Sequence, residues 1–118
     1  MGGRRARKGE VVNYEEPEWG PLLELVGERL VDTFMWMHEV ELTNGVRVHA
    51  YKHIWTRDYL HLDAEGGAYD HVGQSSYRPL APATALEAAL ELWWQRLGAD
   101  LEDTVASWAA IERARQAA

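Results

Sequence analysis

The chain has 118 residues, 47% hydrophobic and 10% aromatic, with a formal net charge of −7; this suits one domain that buries about two-thirds of its unfolded surface. It holds no cysteine, which excludes disulfides, thiolate metal sites and cysteine nucleophiles and fits a reducing compartment. No apolar run reaches the length of a membrane span, and the basic start "MGGRRARKGE" lacks the apolar stretch of a secretory signal, so a cytoplasmic protein is expected.

Residues 1–13 carry Arg4, Arg5, Arg7 and Lys8 against Glu10, a balance of +3 that leaves −10 on residues 14–118. They read as a flexible basic tail, and residues 14–118 as a single α+β domain. An acidic body repels phosphate, so any nucleic-acid binding by charge falls to those four side chains.

In "EWGPLLELVGERL", Pro21 stands near a helix start, where its missing N–H costs nothing. Leu22, Leu25, Val26 and Leu30 recur at helical spacing. They predict a first helix over about residues 20–30, weakened by Gly27.

From Phe34 the apolar period changes to two, and "FMWMHEVELTNGVRVHAYKHI" reads as a β-hairpin. A two-residue Asn44-Gly45 turn would set Val40 opposite His49 and mix polar with apolar on both faces. A three-residue loop, Thr43-Asn44-Gly45, pairs Val40 with Val48, Glu41 with Arg47, Glu39 with His49 and Phe34 with Ile54, and uses Gly45 as its left-handed residue. The expected core face is Phe34, Trp36, Val40, Leu42, Val46, Val48, Ala50 and Ile54. The wetter face is Glu39, Glu41, Arg47, His49, Tyr51 and His53.

"DYLHLD" continues the alternation. Leu60 and Leu62 are expected on the core face, and Tyr59, His61 and Asp63 on the other. "AEGG" is a turn, and "AYDHVG" predicts a fourth strand of an antiparallel meander. "QSSYRPLAP" reads as a loop. A helix follows, opened by a Thr84/Glu87 capping box or a turn earlier by Pro82, striped by Leu86, Leu90, Trp93 and Leu97, and stopped by Gly98. Asp100 can cap a last helix whose stripe is Leu101, Val105, Trp108 and Ile111. The short link predicts a helical hairpin packed on the core face of the sheet.

All five histidines lie between residues 38 and 71. His61 and Asp63 are alternate strand residues, about 6.6–7 Å apart, and could converge on zinc or ferrous iron with His49 or His53 added from the neighbouring strand. Without such an ion the same residues decorate a solvated sheet face, and no strong ligand spacing is present. Ser75, Ser76 and Ser107 sit in no nucleophile-elbow context, and there is no phosphate-binding glycine pattern. Tyr51 and Tyr59 near basic side chains could stack bases, or simply serve as good strand formers.

Six tryptophans are many for this length. Trp93 and Trp94 point about 100° apart on one helix, so only one can face the core centre. Met35 and Met37 lie on the face opposite Phe34 and Trp36. Apolar residues on both faces imply a cover, either a helix or a second subunit. "FMWMHEVELTNGVRVHAYKHIWTRDYLHLD" resembles a segment of small hypothetical proteins from actinobacteria, some in mobile genetic elements. That resemblance spans about a quarter of the chain. It implies a bacterial cytoplasmic protein, regulatory or element-borne, and implies no site and no reaction.

The sequence therefore predicts an N-terminal helix, a four-stranded antiparallel meander and a C-terminal helical hairpin. The expected function is non-enzymatic binding of protein, including self-association as a homodimer through Met35, Met37 and the exposed member of the Trp93–Trp94 pair. The alternatives are nucleic-acid binding or regulation through the tail and the tyrosine–histidine face, and a metal-dependent activity at His49, His53, His61 and Asp63. No cofactor is expected on the leading reading, and no membrane partner on any of the three.

Overall fold

The computed structural model describes residues 7–12 and 17–117. Six strands run β1 (Arg7–Val12), β2 (Phe34–Leu42), β3 (Arg47–His53), β4 (Tyr59–Asp63), β5 (Ala68–Val72) and β6 (Ser76–Leu80). Four helices join them: α1 (Gly20–Val26) and α2 (Glu28–Val31) between β1 and β2, then α3 (Pro82–Gln95) and α4 (Leu101–Ala117) after β6. Every strand pairs antiparallel with its sequence neighbour, and β1 closes on β6, so the α+β fold is built on a six-stranded barrel rather than a four-stranded meander.

Two strands were hidden in stretches read as tail and loop. Residues 7–12 form β1, paired with β2 from Gly9↔Leu42 to Val12↔Glu39 and with β6 at Arg7↔Tyr77 and Lys8↔Ser76. "SYRPL" forms β6 despite Pro79. At Pro79 this strand pairs only with β5, so the missing N–H costs no ladder bond on its free side.

The hairpin register is the three-residue one. Val40 opposes Val48, Glu41 opposes Arg47 and Glu39 opposes His49. Leu42 N–H donates to the Val46 carbonyl at 2.8 Å, and Gly45 has φ 86°. Below His38 the register shifts by one residue, at a bulge between Trp36 and His38. Phe34 therefore meets His53, not Ile54. A bulge adds one residue to one strand and inverts the parity beyond it. Phe34 and Trp36 consequently leave the face of Val40 and Leu42.

The inner wall of the barrel carries Val40, Leu42, Val48 and Tyr77, a small buried cluster of its own. The larger core lies outside the barrel, between its outer wall and the helices. There Phe34, Tyr51, Leu60, Leu62 and Ala68 pack against Leu22, Leu30, Leu86, Leu90, Trp93 and Ile111. Leu60 and Leu62 are buried as expected, but on the opposite wall from Val48. Ala50 pairs with His61 and Tyr51 with Leu60, so His61 shares the inner wall with Ala50 while Leu60 shares the outer one with Tyr51.

The expected first helix is split. Gly27, at φ 85°, ends α1 and its N–H returns to the Leu23 carbonyl at 2.8 Å, after which α2 restarts for a single turn. α3 starts at Pro82, without the Thr84 capping box. Asp100 caps α4, its Oδ1 accepting from the Asp103 N–H at 2.8 Å. Of the expected stripe of α4, Ile111 is buried, but Leu101, Val105 and Trp108 are exposed, and Ser107 and Ala110 complete the buried face instead. Among the described residues, no helix is long and apolar enough to cross a membrane.

Candidate functional site

β4 and β5 pair only at His61↔Tyr69 and Leu62↔Ala68, although β4 begins at Tyr59 and β5 runs to Val72. Beyond His61 and Tyr69 the two strands part. The gap is a cleft of about 210 Å³, walled by Tyr59, His61, Tyr69, Asp70, His71 and Leu80 and closed on one side by Ala85 and Ala88 of α3.

Aromatic rings line its approach. His61 stacks on Tyr59, with centroids 5.7 Å apart and an interplanar angle of 15°. His71 stacks on Tyr77 at 4.5 Å and 5°, and His61 meets both of these rings edge-on, at 5.7 and 5.3 Å. His38 reaches Tyr59 at 6.4 Å from β2. Lys52 holds its ammonium 5.7 Å from the centre of the Tyr59 ring. Strand alternation does this, placing every second residue of adjacent strands on the inner wall.

Most polar groups of the cleft are already matched. The Tyr69 hydroxyl donates to Asp63 Oδ2 at 2.9 Å, and burial together with this contact pushes its pKa up to about 12. His71 Nε2 lies 3.0 Å from the Gln74 carbonyl, and Arg78 lies 3.4 Å from Asp70. His61 differs. It is 5% exposed, and among the described residues it has ring contacts but no hydrogen-bond partner. Burial, helped by His71 and His38, lowers its pKa to about 4, so at neutral pH it is a neutral imidazole with one donor and one acceptor.

The four residues expected to share a metal are divided by the barrel wall. His49 and His53 face outward and His61 and Asp63 inward, because the partner of His49 is Leu62 and that of Ala50 is His61. Among the described residues, no group of three histidine, aspartate or glutamate side chains is placed to hold a metal ion.

The outward pair has other work. His49 Nδ1 accepts from Trp36 Nε1 at 3.2 Å, and burial lowers its pKa. Its Nδ1 also lies 3.8 Å from Glu39, but a nitrogen that accepts from Trp36 carries no proton, so this approach is no ion pair. Glu39 is buried, which raises its pKa, and its carboxylate takes Arg47 at 3.2 Å. His53 is wholly buried between Phe34 and Trp93. Its Nδ1 accepts the N–H groups of Trp55 and Thr56, which ties down the turn after β3. Among the described residues its Nε2 has no partner, and burial lowers its pKa to about 4.

Of the expected binding aromatics, Tyr51 is fully buried, its hydroxyl donating to the Glu18 carbonyl, while Tyr59 is 41% exposed at the cleft. Trp93 is in the core and Trp94 is half-buried against Trp108, at 5.0 Å. Met35 and Met37 are exposed. Met35 opposes Lys52, which opposes Tyr59, so it belongs to the mouth of the barrel. Arg4 and Arg5 lie outside the described residues. Arg7 begins β1, and Lys8 is exposed on it.

A feature missed from sequence is the outward face of α4. Leu101, Val105 and Trp108 stand at i, i+4 and i+7, exposed by 78%, 59% and 39%; Trp94 of α3 packs against Trp108, and Leu97 in the link before α4 is also exposed. The spacing was legible; the side of the helix was not. No family model matches the chain, and neither a curated protein nor a solved structure does.

Proposed function

We propose that this protein is a non-enzymatic binding module that associates with a second copy of itself through α4. The observation that carries this reading is the outward stripe of Leu101, Val105 and Trp108 on a helix whose other face is already buried. A contiguous exposed stripe of this kind marks an interaction surface, and aromatic anchors such as Trp108 with Trp94 dominate the energetics of such surfaces.

A second copy fits for reasons of symmetry. An isologous contact sets the same patch against itself. Two α4 helices laid antiparallel about Val105 set Leu101 of one copy near Trp108 of the other, and their dipoles oppose.

Sedimentation equilibrium tests it. A dimer at micromolar concentration is expected, and Val105→Asp is expected to weaken it by about 1–4 kcal/mol while the circular dichroism stays unchanged, since Val105 touches solvent. A monomer at high micromolar concentration, or a dimer indifferent to Val105→Asp, rejects the reading.

A further inference from the structure

His61 is nineteen-twentieths buried, unpartnered among the described residues, and lines the cleft between β4 and β5. We propose that this cleft binds an uncharged planar nitrogen heterocycle of nucleobase size, its ring against Tyr59 and its edge hydrogen-bonded to His61.

The size and the walls select that chemistry. An apolar cavity of about 150 Å³ takes a benzene ring, so about 210 Å³ suits a single ring with substituents or a small fused pair. Tyr59 and His71 offer aromatic surface. Neutral His61 carries a donor and an acceptor that point apart, so one of its nitrogens makes a single hydrogen bond to a ring nitrogen, an N–H or a carbonyl on the edge of the heterocycle. The charge of the site disfavours ions. An anion meets no cationic side chain in the lining and a protein of net charge −7. A cation meets a Tyr59 ring already shared with Lys52 and an Asp70 carboxylate already met by Arg78.

The heterocycle has two sources: a free base or nucleoside, or a base of a single strand turned into the cleft. Stacking on an exposed aromatic is tolerant of base identity, so the probes span purines and pyrimidines in both forms.

The test is an NMR titration of the full chain with adenine, cytosine, adenosine, cytidine, and short single-stranded oligo(dA) and oligo(dC), following the ring protons of Tyr59 and His61. Saturable shifts with at least one probe are expected. His61→Phe, which keeps the ring and removes both nitrogens, should weaken binding about tenfold or more. Ala88→Trp, from the exposed side of α3, should close the cleft and abolish it. If His61→Phe does not fold, Ala88→Trp alone decides. Free bases bound as well as strands identify the small molecule as the source; strands bound far more tightly identify the nucleic acid. No shift with any probe at millimolar concentration, or binding that survives both variants, overturns the proposal.

Discussion

Between pH 7 and pH 5 the folded protein is expected to lose about 4 kcal/mol of stability, from His53 and His61 together. Both are buried, and burial lowers the pKa of each from 6.5 to about 4. The unfolded chain, with an ordinary pKa near 6.5, takes up these protons first. Stability is therefore complete above about pH 6.5 and falls as pH drops toward 4, with a limiting slope of about 1.4 kcal/mol per pH unit for each ring. His38 and His49, also lowered by burial, act in the same direction. Glu39, raised by burial, acts in the opposite direction close to the bottom of the window, because the native state binds its proton more readily. Asp70 near His61 moderates the drop slightly.

Urea unfolding at a series of pH values, followed by tryptophan fluorescence, measures it. His61→Phe should halve the loss, to about 2 kcal/mol, since His53 alone then carries the term. A flat profile between pH 7 and pH 5 contradicts the burial argument. An unchanged slope in His61→Phe assigns it to other groups. Domains of this size are stable by about 5–15 kcal/mol, so a loss of this magnitude brings the protein near acid unfolding at pH 4.

How far the sequence carried depends on where parity was kept. The loop Thr43-Asn44-Gly45 fixed the hairpin register correctly, because apolar and charged partners agreed along β2 and β3. The bulge between Trp36 and His38 was invisible, since "FMWM" alternates equally well without it. In β4 the pattern "YLHLD" named its two faces but not which wall each would join. Polar residues inside a barrel and apolar residues outside it, under helices, invert the usual reading of a sheet. His61 thus went to the inner wall and away from His49. α4 failed for a related reason: apart from Ile111 its buried face is Ser107 and Ala110, small residues that carry little hydrophobic signal beside Leu101, Val105 and Trp108. β1 gave almost no signal, since "RKGEVV" has only two apolar residues.

That weakly signalled strand closes the barrel, and Gly9 is what allows it. An atom at the Cβ position of Gly9 would stand 2.3 Å from Val40 Cγ1, 3.1 Å from Leu42 Cδ2 and 3.2 Å from Tyr77 Cε1. All three neighbours are buried on the inner wall, and Val40 is β-branched and stiff about χ1. Gly9→Ala therefore has no room and is expected to cost about 1–3 kcal/mol, the range for overpacking a core. The strain should not spread evenly. Among the described residues β1 meets β6 at two residue pairs, with the Gly9 N–H held by the Ser75 carbonyl and the Thr43 N–H by the Lys8 carbonyl, at 2.8 and 2.9 Å. The cheapest relief is to detach β1. Faster amide exchange at Gly9 and Thr43, with β3 and β4 still protected, is the expected signature. Val40→Ala added to Gly9→Ala should restore room, so the double variant should lose less stability than the sum of the two single losses. Additive losses, or Gly9→Ala exchange no faster than in the parent, would show that the barrel does not depend on this close approach.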